Sequence, residues 1–318
     1  MFWSKSYMAG RRFPGEDDAV TQHLVRCRDL HDDTAVVTSA QRENLDRDGY
    51  ARLRGLLAPS TITAAAPIIE DVSRSAAMRA TPLGQRTVYQ KAFLQELNLW
   101  QRRTDIRPLV FSTRIARAAA DLLGVDGVRL YHDQALIKEA HGGRTPWHCD
   151  QYYWPLDTDR VITAWIPLHD VPAEMGPLSF RKASHTVDLG RALDISDESE
   201  AQIRRHPRWR DLPVDDEPFV AGDVSFHLGW TFHGAEPNHT AQDRLAMTMI
   251  YFADGTQLGE PTTDGQVWDR QIWLPDSEVG QPVHSWLNPL VWHRRGGHER
   301  TIATLPEADR RRLGTFTV

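Results

Sequence analysis

The second half of the chain is a series of short β-prone runs, and this feature constrains the fold more than any other. The runs are separated by glycine, proline, asparagine and aspartate, and they occupy residues 128–138, 161–170, 176–180, 222–228 and 244–252. Helical segments that could connect parallel neighbours are mostly missing between them, which argues against a doubly wound parallel sheet. We therefore expect antiparallel strands that form a sandwich or a barrel.

Helical patterns dominate the first 125 residues. A capped short helix comes before a strand at residues 50–53, and Pro59 and Ser60 can start the next helix. Residues 104–123 carry another helical signature, with spaced apolar residues among alanines. The fold class predicted is α+β, with a mainly β core and flanking N-terminal helices.

The 318 residues divide into three predicted parts. Residues 1–37 are polar without a clear period and form an N-terminal extension. Residues 38–255 form the main domain, in which residues 186–217 are a charged insert of helical or irregular structure. Residues 256–318 contain several tryptophans and are expected to cover the barrel as a tail of the same domain.

Charge and cysteine content limit the partners and the compartment. A net charge of −6 and a pI of about 6.2 argue against binding to nucleic acid or to anionic membrane surfaces, and favour a small-molecule substrate. Two cysteines, Cys27 and Cys149, fit a reducing compartment. Since no apolar leader or membrane-spanning stretch is evident, we expect a cytoplasmic protein.

The pattern His-x-Asp occurs twice, at His31/Asp33 and at His148/Asp150. Random placement is expected to produce so short a motif about once, and the first occurrence lies in an unpatterned stretch without companion signals. The second lies among aromatic residues in the β-rich half. In an extended chain, His148 and Asp150 project to one face and Cys149 projects to the other, so an imidazole and a carboxylate can bind one ion.

A third ligand must come from elsewhere in the barrel, and residues 222–244 offer His227, His233 and His239. We favour His233 because it follows a strand and precedes turn residues, and we keep His227 as the alternative. Two histidines and a carboxylate are typical of non-haem Fe(II) oxygenases. Zinc hydrolases can use the same set, so the triad alone is only moderately specific.

Arg244 follows His233 by eleven residues and begins the next apolar strand. A turn of this length would let that strand run back beside the preceding one. An arginine that points into an apolar barrel needs an anion, and its planar fork suits a carboxylate. A dicarboxylic cosubstrate could chelate iron at one end and meet Arg244 at the other.

Four segments, in this order, resemble the phytanoyl-CoA dioxygenase family of Fe(II)- and 2-oxoglutarate-dependent oxygenases, which includes ectoine hydroxylase. They are WHCDQYYWPLD, ITAWIPLHDV, MGPLSFRKASH and GDVSFHLGWTFHGAEPNHTAQDRLAMTMIY, and the resemblance extends over residues 41–255. It implies a double-stranded β-helix, the jelly roll of cupin-like proteins.

The resemblance also implies the roles of individual residues. His148, Asp150 and His233 would be the iron ligands, and Arg244 would bind the distal carboxylate of 2-oxoglutarate. The cofactors implied are Fe(II), 2-oxoglutarate as cosubstrate, and O2. Halogenases of the family lack the ligand carboxylate, so the presence of Asp150 argues against halogenation.

Further cosubstrate contacts are implied on neighbouring strands. Gln134 and Lys138 lie on the strand where the family places cosubstrate and inner polar residues. Many members have serine two residues after the distal histidine, whereas this chain has Ala235. Thr163 or Lys138 would then replace the missing hydroxyl contact.

Aromatic residues are the candidates for substrate binding. Trp154 matches an aromatic position that often lines the family's pocket, and Tyr152, Tyr153, Trp165 and Trp230 could extend the same wall. Such a mouth favours a compact apolar or ring-bearing metabolite, which points to secondary metabolism.

The function expected is oxidation, in the first place hydroxylation, of an unactivated C–H bond with release of succinate and CO2. One alternative is a zinc hydrolase on the same triad, which would need a nearby general base and would leave Arg244 without a dicarboxylate. The other is a non-catalytic cupin-like binding protein, which should tolerate the loss of Asp150.

Overall fold

A computed structural model describes residues 24–32, 34–75, 81–86 and 91–296 of the chain. In this part of the chain, helices α1 to α7 are Ser39–Asp48, Pro59–Ser75, Leu99–Arg102, Arg107–Val110, Thr113–Leu123, Asp197–Arg205 and Asp264–Trp273. Strands β1 to β11 are Tyr50–Leu53, Leu94–Leu97, Gly127–Lys138, Thr145–His148, Val161–Pro167, Leu178–Arg181, Val214–Asp215, Val224–Leu228, His233–Ala235, Arg244–Ala253 and Leu290–His293.

The strands form two antiparallel sheets. The larger sheet has seven strands in the order β1-β8-β5-β10-β3-β11, with β2 also paired to β3. The smaller sheet has four strands in the order β4-β9-β6-β7. Side chains from both sheets line a single cavity, so the two sheets face each other across it. This arrangement confirms the expected jelly-roll core.

The long strands of the larger sheet are covered on both faces. β3 and β10 are buried along almost their whole length, which explains why they read as nearly continuous apolar runs. One face of these strands lies against the cavity. The other packs on helices, above all on α5, whose buried Ile115, Ala119 and Leu122 belong to the main hydrophobic core. The rigid sheet therefore separates the core from the cavity.

Helix α1 begins and ends as its sequence predicts. Thr38 accepts a hydrogen bond from the backbone of Gln41, whose side chain accepts one from the backbone of Thr38 in return. Gly49 ends the helix with a φ of 85°, and a Cβ there would lie 2.5 Å from atoms of His185 and Thr231. The chain then enters β1, which pairs with β8 at the edge of the larger sheet.

The helical signature at residues 104–123 is divided in the structure. Helix α4 ends at Val110, and a second helix begins after Ser112, whose side chain accepts a hydrogen bond from the backbone of Ile115. A serine in this position offers the backbone a cap, which stops one helix and starts the next. The predicted strands, by contrast, are all present within a few residues of their predicted bounds.

The predicted neighbour of β10 is wrong. The strand before His233 is β8, which pairs with β1 and β5 and not with β10. Strand β9, which begins at His233, pairs with β4 and β6 in the smaller sheet, whereas β10, which begins at Arg244, pairs with β3 and β5 in the larger sheet. The connection between them crosses from one sheet to the other rather than forming a hairpin. Arg244 consequently lies across the cavity from the triad rather than beside it.

The insert and the tail take part in the sheets as well as covering them. Residues 186–217 contain helix α6 and the short strand β7, which pairs with β6. The tail contains helix α7 and strand β11, which pairs with β3. The division of the chain into extension, domain and cover stays a prediction, and residues 1–23 lie outside the described part.

Candidate active site

The described residues bring one group of possible metal ligands together: His148, Asp150 and His233. Nε2 of His148 lies 3.5 Å from Oδ1 of Asp150, and Nε2 of His233 lies 3.6 Å from the same oxygen. All three ligand atoms lie within 4.8 Å of one another. Ligands at right angles and about 2.1 Å from an ion are about 3 Å apart, so a small contraction brings this group to coordinating distance.

The backbone places the ligands on one face. β4 ends at His148, Cys149 remains extended, and Asp150 begins a 3-10 turn. The thiol of Cys149 donates to the carbonyl of Trp230 at 3.2 Å, on the side away from the triad. His233 lies directly opposite His148 in the antiparallel register of β4 and β9. The predicted alternation of ligand, non-ligand and ligand is therefore present.

Backbone carbonyls fix the orientation of both histidine rings. Nδ1 of His148 donates to the carbonyl of Pro146 at 2.7 Å, and Nδ1 of His233 donates to the carbonyl of Thr231 at 3.0 Å. Since a carbonyl can only accept, the proton stays on Nδ1 and the lone pair stays on Nε2. Both lone pairs therefore remain available to a metal.

The ligands also hold one another in the required protonation states. Burial opposes the charge of Asp150, but the neighbouring His233 and His148 hold the pKa of that carboxyl well below its usual value. Burial and the nearby His148 lower the pKa of the His233 imidazole well below its usual value. The site thus offers a carboxylate and a neutral imidazole, as metal binding requires.

Arg244 faces the cavity from the larger sheet. It is 2% exposed, its Nη1 donates to the carbonyl of Gly176 at 2.7 Å, and its guanidinium carbon lies 5.5 Å from the centre of the Trp165 ring. Within the described residues it has no carboxylate partner, and its Nε is buried without a hydrogen-bond partner. A buried cation in this situation is costly unless an anion joins it.

Other polar atoms on the cavity wall also lack partners within the described part of the chain. They are Oγ1 of Thr163, Oγ1 of Thr248 and both ring nitrogens of His227. Buried polar groups are normally satisfied by protein, water or ligand, so this concentration indicates a polar ligand. The residues present thus fit iron at the triad and an oxygen-rich cosubstrate that extends towards Arg244.

His227, the alternative third ligand, lies next to the triad. Its Nε2 is 3.7 Å from Oδ2 of Asp150, and its ring centre is 4.4 Å from that of His233. The ligand group formed by the described residues contains His233 and not His227. His227 projects from β8 of the larger sheet, where it pairs in register with Thr163.

Gln134 and Thr163 line the cavity, as does Ala235 at the position where a serine was expected. Oε1 of Gln134 accepts a hydrogen bond from Nε2 of Gln95 at 2.7 Å, and Gln134 pairs in register with Thr248. Thr163 and Thr248 offer buried hydroxyls without a described partner, and Thr145 lies opposite Ala235 in the register of β4 and β9.

Lys138 is placed differently. It pairs in register with Arg244, but it is completely buried and does not line the cavity. Its Nζ donates to the carbonyl of Gly143 at 2.6 Å and to Oγ1 of Thr145 at 3.3 Å, and burial lowers its pKa well below the usual value. Thr145 does line the cavity, so Lys138 stabilises the cavity wall through its hydrogen bond to Thr145 without contacting the cavity itself.

Four of the five predicted aromatic residues line the cavity: Tyr152, Tyr153, Trp154 and Trp165. Trp154 packs against the Tyr131 ring at 5.7 Å between centres. Trp230 does not line the cavity. Its Nε1 donates to Oδ1 of Asp159 at 2.7 Å, and its ring lies 4.8 Å from the guanidinium carbon of Arg191.

Several lining residues were missed at the sequence level. His132 and Thr248 share the inward faces of β3 and β10 with residues already chosen, so counting by two along each strand would have found them. Trp268, Asp269 and Trp273 come from helix α7 of the tail, where no local signal shows which face meets the cavity. Of the first His-x-Asp pattern, Asp33 lies outside the described residues.

Residues 45–246 of the chain match the phytanoyl-CoA dioxygenase family, PhyH. A probable alpha-ketoglutarate-dependent hypophosphite dioxygenase of Stutzerimonas stutzeri is 24% identical over 226 residues, which cover 67% of this chain and 77% of that protein. Phytanoyl-CoA dioxygenase domain-containing protein 1 of Mus musculus is 27% identical over 185 residues, which cover 55% of this chain and 60% of that protein.

Solved structures share the fold. The non-heme alpha ketoglutarate dependent carbocyclase SnoK from nogalamycin biosynthesis superposes with a TM-score of 0.66 at 25% identity, covering 80% of this chain and 97% of that one. EctD from S. alaskensis, solved with 2-oxoglutarate and 5-hydroxyectoine, superposes with a TM-score of 0.59 at 19% identity, covering 79% of this chain and 86% of that one. The family resemblance and the jelly-roll fold expected from the sequence are confirmed.

Proposed function

Since the chain belongs to the phytanoyl-CoA dioxygenase family and is an iron- and 2-oxoglutarate-dependent dioxygenase, we propose that it hydroxylates an unactivated C–H bond of a small, ring-bearing secondary metabolite. The observation that carries this proposal is a triad that shares one aromatic-walled cavity with a buried Arg244, which pairs with no carboxylate among the described residues. Succinate and CO2 would be the coproducts.

Each residue has a defined task in this reaction. His148, Asp150 and His233 would hold iron, which when bound supplies the activation of O2 that no amino-acid side chain provides. Arg244 binds the distal carboxylate and so sets the direction in which 2-oxoglutarate enters. Thr163, with its unpartnered buried hydroxyl, offers a further hydrogen bond to that ligand.

The cavity beyond the cosubstrate suits a molecule of moderate size. The whole cavity, including the end at Arg244, has a volume of about 610 Å³, and its walls include Tyr152, Tyr153, Trp154 and Trp268. Such walls position a ring system by contact area and exclude bulk water from the reacting C–H bond. SnoK, a carbocyclase from nogalamycin biosynthesis at 25% identity, supports the assignment to secondary metabolism.

The same geometry does not favour the two alternatives. A zinc hydrolase would leave Arg244 buried without a counter-ion. A binding protein without chemistry would not require two histidines whose Nε2 atoms are both kept free for a metal.

Within the described residues, no helix is both long and apolar enough to cross a membrane. A cytoplasmic location and the absence of nucleic-acid partners remain part of the proposal.

The test is a turnover assay with Fe(II), 2-oxoglutarate and O2 against libraries of ring-bearing metabolites, followed by mass spectrometry. We expect one member to gain one oxygen atom while succinate rises in equal amount, and the variant Asp150→Ala should lose both signals. Succinate production that responds only to acyl-CoA thioesters would overturn the substrate class. Production that persists unchanged in Asp150→Ala would overturn the site.

A further inference from the structure

A second carboxylate lies on the cavity wall outside the iron triad. Asp269 is on helix α7 of the tail, it lines the cavity, and it is 6% exposed. Helix α7 packs against the 3-10 turn that begins at Asp150, so the side chain belongs to the same chamber as the reaction. None of the tasks described above uses Asp269.

Asp269 has no cation of its own among the described residues. Its Oδ2 accepts a hydrogen bond from the hydroxyl of Tyr131 at 2.7 Å, while its Oδ1 accepts none from any described residue, and no described Lys or Arg pairs with it. Burial, opposed in part by the Tyr131 hydrogen bond and reinforced by the nearby Asp150, raises the pKa of the Asp269 carboxyl well above its usual value. A raised pKa means that the ionised form lacks a partner, and a cationic ligand beside Asp269 would stabilise that form.

The surroundings of Asp269 suit an organic cation better than a metal ion. Trp154 and Trp273 share a hydrophobic cluster with Tyr131, and Trp268 packs on the edge of that cluster at 5.9 Å from Trp273 between ring centres. Indole faces attract ammonium groups and at the same time provide apolar contact for the carbon skeleton. A carboxylate in this setting matches an alkylammonium attached to a ring.

The charge of the whole cavity points the same way. Arg244 is the only Lys or Arg among the described lining residues, and it lies at the cosubstrate end. Apart from Asp150 and Asp269, the lining includes Asp194, Glu198 and Asp264, which are exposed and form no ion pair with a described residue. For the substrate, which binds away from Arg244, a mouth with this charge favours a cation over an anion.

We propose that Asp269, supported by Tyr131 and walled by tryptophans, is the binding site for a protonated amine of the substrate. This inference rests on the proposed function and narrows its substrate class to ring-bearing amines. The ammonium binds Oδ1 of Asp269, the ring lies against Trp154, Trp268 or Trp273, and the remainder of the molecule extends towards the triad. Asp269 is a binding residue and takes no part in O2 chemistry.

The experiment compares matched amines and carboxylates on protein loaded with Fe(II) and saturated with 2-oxoglutarate under anaerobic conditions. The probes are tryptamine against indole-3-propionate and phenethylamine against 3-phenylpropionate, with dissociation constants from calorimetry. Saturation with 2-oxoglutarate keeps the carboxylate probes from occupying Arg244. We expect each amine to bind about tenfold tighter or more than its carboxylate partner, as a charge-assisted hydrogen bond implies.

Two variants separate a direct contact from a general negative field. Asp269→Asn keeps the shape and can still accept from Tyr131, and it should abolish the preference for amines. Asp264→Asn removes an exposed carboxylate at the mouth, where solvent screens the charge, and it should retain the preference. Equal or reversed affinities in the wild type, no binding of either amine, or an unchanged preference in Asp269→Asn would overturn the proposal.

A third variant covers the case in which Asp269→Asn does not fold. Tyr131→Phe removes the hydroxyl that donates to Asp269 and favours its ionised form, so the preference for amines should fall, and an unchanged or larger preference would contradict the proposal. The binding of 2-oxoglutarate is measured on the same samples. If 2-oxoglutarate binds and amines show no preference, only the amine site fails; if 2-oxoglutarate does not bind, the proposed function fails, and the amine comparison is repeated on metal-free protein.

Discussion

Replacing Arg244 with glutamine should weaken 2-oxoglutarate binding by roughly a hundredfold to a thousandfold. Burial lowers the pKa of Arg244 to about 10, so the guanidinium still carries its charge at pH 7. One nitrogen is engaged by Gly176, which leaves the others for a carboxylate. A hydrogen bond to a charged group contributes about 1.5–3 kcal/mol, so the loss of the fork costs roughly 3–4 kcal/mol at about 1.4 kcal/mol per factor of ten.

Calorimetry of Fe(II)-loaded protein with 2-oxoglutarate, without O2, measures this change directly. Glutamine keeps a polar side chain at this position but lacks the positive charge and the planar fork. The matched control is Arg129→Gln, which alters another buried arginine that pairs with Asp254 and does not line the cavity. An unchanged dissociation constant in Arg244→Gln, or an equal loss in Arg129→Gln, would show that Arg244 does not bind the distal carboxylate.

Three further predictions concern the ligand set, the backbone near the arginine and the stability in acid. Asp150→Ala should lower Fe(II) affinity by more than about a hundredfold, since loss of a group that merely orients a ligand already costs about 10- to 100-fold. Equilibrium dialysis measures the Fe(II) affinity, and an unchanged value would exclude Asp150 as a ligand. Gly176→Ala should reduce the free energy of unfolding by about 1–3 kcal/mol. At a φ of 68° a non-glycine residue is strained, and its Cβ would overlap the backbone of Glu236. Urea unfolding that matches the wild type would contradict this. Asp215→Asn should destabilise the protein by roughly 2–4 kcal/mol at pH 7. Burial raises the pKa of Asp215, but the hydrogen bond from Tyr50 and the ion pair with Arg52 at 2.8 Å together outweigh burial and lower it. The contribution of Asp215 to stability is therefore present above about pH 4 and is lost as the pH falls through the folded-state value. A difference from the wild type that does not narrow in acid would count against this.

The grouping of the candidate iron ligands could be predicted from the sequence because their geometry is largely local. An extended chain alternates its side chains, so His148 and Asp150 had to share a face and Cys149 had to leave it. His233 required only one long-range step, its position opposite His148, which the flanking segments indicated. The buried arginine was found by the same logic, since a cation in an apolar strand requires an anion.

The path from His233 to Arg244 could not be predicted. Eleven residues are long enough either to form a hairpin or to cross between two sheets, and both satisfy the same local pattern. The choice depends on which strands bury the apolar face of β10, and these are β3 and β5, far away in the sequence. Topology of this kind is decided by packing over long distances.

The substrate end of the cavity was the least predictable part. Asp269 reaches the cavity only because helix α7 packs on the turn at Asp150. The sequence of a short amphipathic helix does not indicate which element of the protein it packs against. Trp268 and Trp273 depend on the same docking. Trp230, expected in the wall because of its neighbours in sequence, instead binds Asp159 outside the lining.

We expect one cavity to bind iron and 2-oxoglutarate together, iron through the triad and 2-oxoglutarate through Arg244. The most direct measurement is an anaerobic titration of metal-free protein, first with Fe(II) and then with 2-oxoglutarate, in which the visible absorption of an iron-chelated 2-oxo acid is recorded. We predict a band that appears only after both additions, saturates at one equivalent of 2-oxoglutarate, and is lost in Asp150→Ala. A protein that binds Fe(II) and then gives no band with 2-oxoglutarate would contradict this expectation.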